Sequence, residues 1–151
     1  MSGVLLAAVP TAEIALTATT TRTVLQLVAA AQHRVKVSGW GIAFDGTSTT
    51  AEPVQVEVVR QTSAGTMTAL TIVKINESDA ETIQTTAQHS ATSTEPTTTD
   101  IIDAMEVHPQ QGFEKLLPLG QEFIIKGGNR LAIRCTAPAN VNCRPKFFLE
   151  E

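Results

Sequence analysis

The stretch Arg34–Phe44, RVKVSGWGIAF, decides the fold. Apolar residues alternate with others along it, as on a half-buried β-strand, yet the alternation changes phase midway. Val35 and Val37 share one parity, whereas Trp40, Ile42 and Phe44 share the other. A single strand can bury both sets only if one extra residue is inserted between them. Ser38-Gly39 is therefore read as a β-bulge that resets which side faces the core.

The same period runs outward on both sides. Val24–Ala30 (VLQLVAA) reads as a strand, and Pro53–Val59 (PVQVEVV) alternates with Val54, Val56 and Val58 in and Gln55 and Glu57 out. DGTSTTAEP and TSAG are turns by composition. MTALTIVKI reads as one strand buried on much of both faces, and NESDAE as a short helical turn capped by Asn76 or Ser78. QTTAQHSATSTEPTTTD is a polar, Thr-rich connection whose length points to a functional or partner-ordered loop. IIDAMEVH, EFIIK, RLAIRC and KFFLE follow as strands, with Gly127–Asn129 (GGN) as a hairpin turn. About eight strands with almost no helical periodicity predict an all-β fold. The expected form is a two-sheet β-sandwich of jelly-roll or Greek-key type with an extended N-terminal arm. The expected division is an arm over residues 1–22 and a single sandwich domain over 23–151.

Composition limits the function classes. The chain has 151 residues, 42% of them hydrophobic and 17% charged, which is a globular balance for one domain. Aromatics are only 4%, with one Trp and no Tyr, and the net charge is −4. Stacking platforms and phosphate-binding surfaces need aromatics and clustered Lys and Arg, so nucleic acid is not an expected partner. The apolar run Val4–Val9 lacks a preceding basic region and is broken by Pro10, which does not fit a signal peptide or a membrane span. The chain is read as made in the cytoplasm, with no membrane association. Apolar termini of this sort either tuck onto their own domain or insert into a neighbour. Val4, Leu5, Leu6 and Val9 are the candidate partner-interface residues.

No residue pattern announces catalysis. His33, His89 and His108 lie far apart without a second ligand at metal spacing, and His89 and His108 are read as surface residues. Glu77, Asp79 and Glu81 alternate but lack the glycine and closing acid of a calcium loop. Thr62–Thr66 has a Ser near a Gly in a turn, with no nucleophile elbow around it. Cys135 and Cys143 flank a Pro-containing turn. If RLAIRC and the last strand form a hairpin, both thiols point to the core. A buried reduced pair, a disulfide and a redox pair are all sterically open, and a reducing compartment favours the first. No catalytic residue, metal site or cofactor is expected.

Three quoted stretches together resemble a known group. They are TVLQLVAAAQHRVKVSGWGIAFDGTSTTAEPVQVEVVRQTSAGTMTALT from Thr23, DAMEVHPQQGF from Asp103, and LPLGQEFIIKGGNRLAIRCTAPANVN from Leu117. In their ordered turns and strands they resemble the capsid decoration (cement) proteins of tailed phages, over most of Thr23–Glu150. The resemblance implies a jelly-roll-like fold and a structural role on the outer surface of the virion head. It further implies a homotrimer that clamps neighbouring subunits of the major capsid protein. The alternative from another class is a receptor- or glycan-binding jelly-roll module of a phage tail or fibre, which would use exposed aromatics.

Overall fold

A computed structural model describes residues 5–47 and 51–151. The described residues form thirteen strands and no helix. Two antiparallel sheets pack face to face as a β-sandwich. The larger sheet contains β1 (Leu6–Pro10), β2 (Ile14–Leu16), β4 (Val35–Phe44), β7 (Val73–Lys74), β10 (Gly112–Leu116), β11 (Phe123–Ile125) and β13 (Val141–Glu150). Its order is β10-β4-β13-β1-β7, with β11 continuing the β10 edge along β4 and β2 continuing β1 along β13. The smaller sheet runs β6 (Thr68–Leu70), β8 (Thr86–His89), β3 (Thr21–Val28), β12 (Arg130–Thr136), β5 (Val54–Gln61) and β9 (Thr98–Val107).

The phase break in β4 is a bulge. Phe148 of β13 pairs with Gly39 while Leu149 pairs with Val37, so Ser38 is the extra residue. Val35, Val37, Trp40, Ile42 and Phe44 are all buried as a result. They meet Val54, Val56 and Val58 of β5 and Leu131 and Ile133 of β12 across the sandwich. Trp40 is fully buried, and its Nε1 donates to Asp103 Oδ2 on β9 of the opposite sheet, at 3.3 Å.

The segment expected to be an arm is, from Leu5 onward, part of the sandwich. β1 pairs with β13 through Leu6↔Glu150 to Pro10↔Lys146, and Leu5, Ala7 and Val9 are buried in the core. The alternation in LAAVP is that of any two-faced strand, and β13 would otherwise lack a ladder partner on that side. Pro10 and Thr11 break this edge into β1 and β2, and the buried Thr11 hydroxyl donates to the Pro145 carbonyl at 2.7 Å.

Several turns join sheets rather than neighbouring strands. The β12–β13 connection passes from one sheet to the other, so Cys135 and Cys143 do not face each other across a hairpin. Gly127–Asn129 likewise leads from β11 to β12 in the opposite sheet, whereas TSAG stays within the smaller sheet but joins β5 to the non-adjacent β6, which pairs with β8. MTALTIVKI splits at the crossover into β6 and β7, one in each sheet, and stays largely exposed. NESDAE forms a turn, with the Asn76 side chain accepting from the Ser78 amide. The Thr-rich connection contains β8 and the start of β9. The open edge between β9 and β10 is plugged by an inward-pointing pair, Lys115 Nζ to Asp103 Oδ2 at 3.0 Å, a device that blocks edge-to-edge pairing.

Candidate interaction face

The two outer faces differ in what covers them. On the smaller sheet, Ala132 of β12 pairs with Gln26 on β3 and Val59 on β5, and this row has outward parity. All three residues are nevertheless fully buried. Residues 62–66 and 91–97 fold back over them. Gln26 Nε2 donates to Gln61 Oε1 at 2.7 Å and to the Ser63 carbonyl at 3.0 Å, while Arg130 Nη1 donates to Gln26 Oε1 at 3.1 Å. Gln61 Nε2 donates to Thr23 Oγ1 at 2.9 Å. The Glu95 carboxylate accepts from both the amide and the hydroxyl of Thr23, which ties down the polar loop. Buried amides are stable only when satisfied, and here they bond one another and the covering loops. The centre of that face is covered by the chain itself, while the same row ends on β9 at Ile101, which is 52% exposed.

The outer face of the larger sheet is bare. Reading the register across it, Leu116 of β10 pairs with Gly39 of β4, Gly39 with Phe148 of β13, Phe148 with Ala8 of β1, and Ala8 with Val73 of β7. Each of the five strands from β10 to β7 thus contributes an apolar residue or glycine to one continuous outward row. A Cβ on Gly39 would lie 2.9 Å from Leu116 Cδ2 and 3.4 Å from Phe148 Cδ2, so these two side chains close over it. Leu116 is 70% exposed and Val73 51%. Leu6 and Ile75, joined by the Ile75 amide to the Leu6 carbonyl, widen the row at the β1–β7 end.

Charged rows flank it. Lys36 and Glu150 lie on one side, with Nζ and Oε2 4.0 Å apart. On the other side Lys146 bonds Glu114 at 2.9 Å, and its ammonium sits 5.4 Å from the Phe148 ring centroid. An apolar centre inside a charged rim is the anatomy of a protein-binding surface. Five strand positions by the eight residues of β4 from Lys36 to Ala43 bound an area of about 24 Å by about 26 Å, at most roughly 600 Å², because β1 and β7 fill only part of it. A standard interface buries about 800 Å² per partner, so this face is of the right order for a modest contact.

Of the residues expected to meet a partner, only Leu6 lies on this face, at 39% exposure. Leu5 and Val9 are taken up by the chain's own core, and Val4 lies outside the described residues. Phe148, Leu116, Val73 and Ile75 were missed. A signal for Phe148 was present: in KFFLE two adjacent Phe must point to opposite faces, so burial of Phe147 sends Phe148 outward.

The remaining candidate chemistry is dispersed. Cys135 and Cys143 are free thiols buried between the sheets. Burial, followed by the hydrogen bond and charge of the neighbouring Cys143, raises the Cys135 thiol well above its ordinary range. A thiol held neutral in this way behaves as a small apolar core residue. His89 and His108 are half-buried, and the His89 Nδ1 contacts the Ser90 hydroxyl at 2.8 Å. Among the described residues, no three His, Cys, Asp or Glu side chains converge as a metal site, and no helix is long and apolar enough to cross a membrane. The chain matches no protein-family model, no curated protein and no solved structure.

Proposed function

We propose that the protein is a capsid decoration (cement) protein of a tailed phage. In this reading it attaches to the outer surface of the head through the outer face of its larger sheet and clamps neighbouring subunits of the major capsid protein. The observation that carries this reading is the outward apolar row Leu116–Gly39–Phe148–Ala8–Val73, exposed at Leu116 and Val73 and set between two charged rows, while the centre of the opposite face is covered by the chain's own loops. A sandwich whose larger sheet keeps an apolar outward row suits a module that lies flat on a larger surface. The resemblance of the Thr23–Glu150 region to decoration proteins supports the same role and suggests a homotrimer. A face of at most roughly 600 Å² gives limited affinity per copy, and a trimer would multiply it through effective concentration. Catalysis plays no part in this role.

The test is co-sedimentation of the purified protein with expanded heads assembled without it. Phe148→Asp places a charge at the centre of the row and leaves the core side of β13 untouched. It is expected to lower head affinity at least tenfold, about 1.4 kcal/mol, with an unchanged melting temperature. Undiminished binding by this variant would remove the face from the mechanism. Failure of the wild-type protein to bind heads, together with retention on a glycan array, would assign it instead to the receptor- or glycan-binding class.

A further inference from the structure

At one end of the same face the outward row changes character. Arg144 of β13 pairs with Ala43 of β4, and Ala43 pairs with Gly112 of β10. One row over, Gly41 lies between Glu114 and Lys146. The Lys146 side chain lies over Gly41, so the open lane is Ala43 and Gly112, which form the floor of a groove of about 490 Å³ beside Pro10, Thr11 and Arg144. A Cβ on Gly112 would stand 3.1 Å from the Ala43 Cβ, so even a small side chain there would intrude on the lane.

Arg144 is held at the wall of this groove. Its Nε donates to the Thr11 carbonyl at 3.2 Å, and Thr11 is itself buried and fixed by its hydroxyl bond to the Pro145 carbonyl. The guanidinium is therefore oriented from one side by backbone at the β1–β2 break. It joins none of the four ion pairs found among the described residues. Lys146, the other cation on the groove, is already matched by Glu114. A planar donor fork fixed through Nε presents its remaining N–H groups to a planar acceptor, and a carboxylate meets that geometry with two parallel hydrogen bonds. The neighbouring Glu114 carboxylate and the net charge of −4 oppose a polyanion, which favours a single carboxylate over a phosphate chain.

We infer that the Arg144 groove is a recognition subsite for an Asp or Glu side chain on an extended segment of the protein that docks on this face. The inference rests on the docking reading above. The small floor lets the partner backbone approach, the apolar row supplies the contact area, and Arg144 fixes the register. Loss of Arg144 affects the carboxylate, whereas loss of Phe148 affects the apolar contact, so the two contributions separate.

The experiment follows the Arg144 Nε–Hε resonance of the full chain by NMR during titration with N-acetyl-aspartate α-methylamide, which carries a single carboxylate. Inorganic phosphate at equal ionic strength is the comparison. A saturable shift with the α-methylamide and a weaker, non-saturating one with phosphate are expected. Ala43→Leu, which fills the lane and leaves Arg144 in place, should abolish the saturable response. On heads, Arg144→Gln should lower affinity at least fivefold, and Arg144→Lys should restore only part of it. The absence of a saturable shift, or an equal response to phosphate (an adventitious ion only), overturns the subsite. If Phe148→Asp weakens head binding while Arg144→Gln does not, the docking face stands and the subsite is wrong. If the carboxylate response is present but both Phe148→Asp and Arg144→Gln bind heads normally, the groove binds carboxylate without serving attachment, and the docking reading falls together with the subsite's assigned role.

Discussion

Deleting residues 1–11 should unfold the protein rather than release a docking arm. The deletion removes Leu5, Ala7 and Val9 from the core and strips five ladder partners from β13. Fully burying a Leu or Val side chain is worth about 1.5–3 kcal/mol, so Leu5 and Val9 together contribute about 3–6 kcal/mol. The methyl of Ala7 adds about 0.8 kcal/mol, before counting the groove left beside Phe147 and Leu149. Against a typical stability of about 5–15 kcal/mol, that loss leaves little or no folded state. A graded version uses two neighbours on the same strand. Val9→Ala should cost about 2–3 kcal/mol and lower Tm by about 5–10 °C, whereas Leu6→Ala, which points outward, should stay within about 0.5–1 kcal/mol. Urea and thermal denaturation followed by the fluorescence of the single, buried Trp40 read both. A truncated chain that melts cooperatively within a few degrees of the full chain would refute the placement of β1. Equal effects of Val9→Ala and Leu6→Ala would refute its register.

Two further outcomes follow from buried groups. Gln26→Leu leaves Gln61, Gln88 and Arg130 without a shared partner and should destabilise by about 3 kcal/mol; a denaturant midpoint unchanged from wild type would mean that the network is dispensable. Cys135 should resist a disulfide reagent such as DTNB at pH 8 in the native state, with both thiols reacting once the chain is denatured. Because the folded Cys135 keeps its proton beyond the ordinary thiol value of 9.0, its titration leaves stability unaffected below that pH. Stability then falls as pH rises above 9.0, where the unfolded chain gives up a proton that the fold retains. Rapid native labelling would show that the sandwich opens at the β12–β13 arch.

Within each strand, the alternation of side chains carried most of the information. It identified the inward Val54, Val56 and Val58, the bulge at Ser38, and the burial of Trp40, because the two-residue period of a strand is a local property of the backbone. The same period in LAAVP and KFFLE contained the inward Val9 and the outward Phe148. For the N-terminal segment the apolar run left a tucked arm and a partner-inserted arm both open, when it equally describes a strand with a core side. Sheet membership was not available in this way. A turn such as GGN or TAPANVN has the same residues whether it returns the chain along its own sheet or carries it across the core. The choice depends on which distant strand offers an open ladder. Only the tertiary structure decided that β12 and β13 lie in opposite sheets and that residues 91–97 cover the centre of one outer face. It likewise decided that the other face stays bare. Alternation along a strand states which residues share a side; whether that side meets water, a loop or a partner is set by chain segments tens of residues away, through hydrogen bonds and packing that no local pattern encodes.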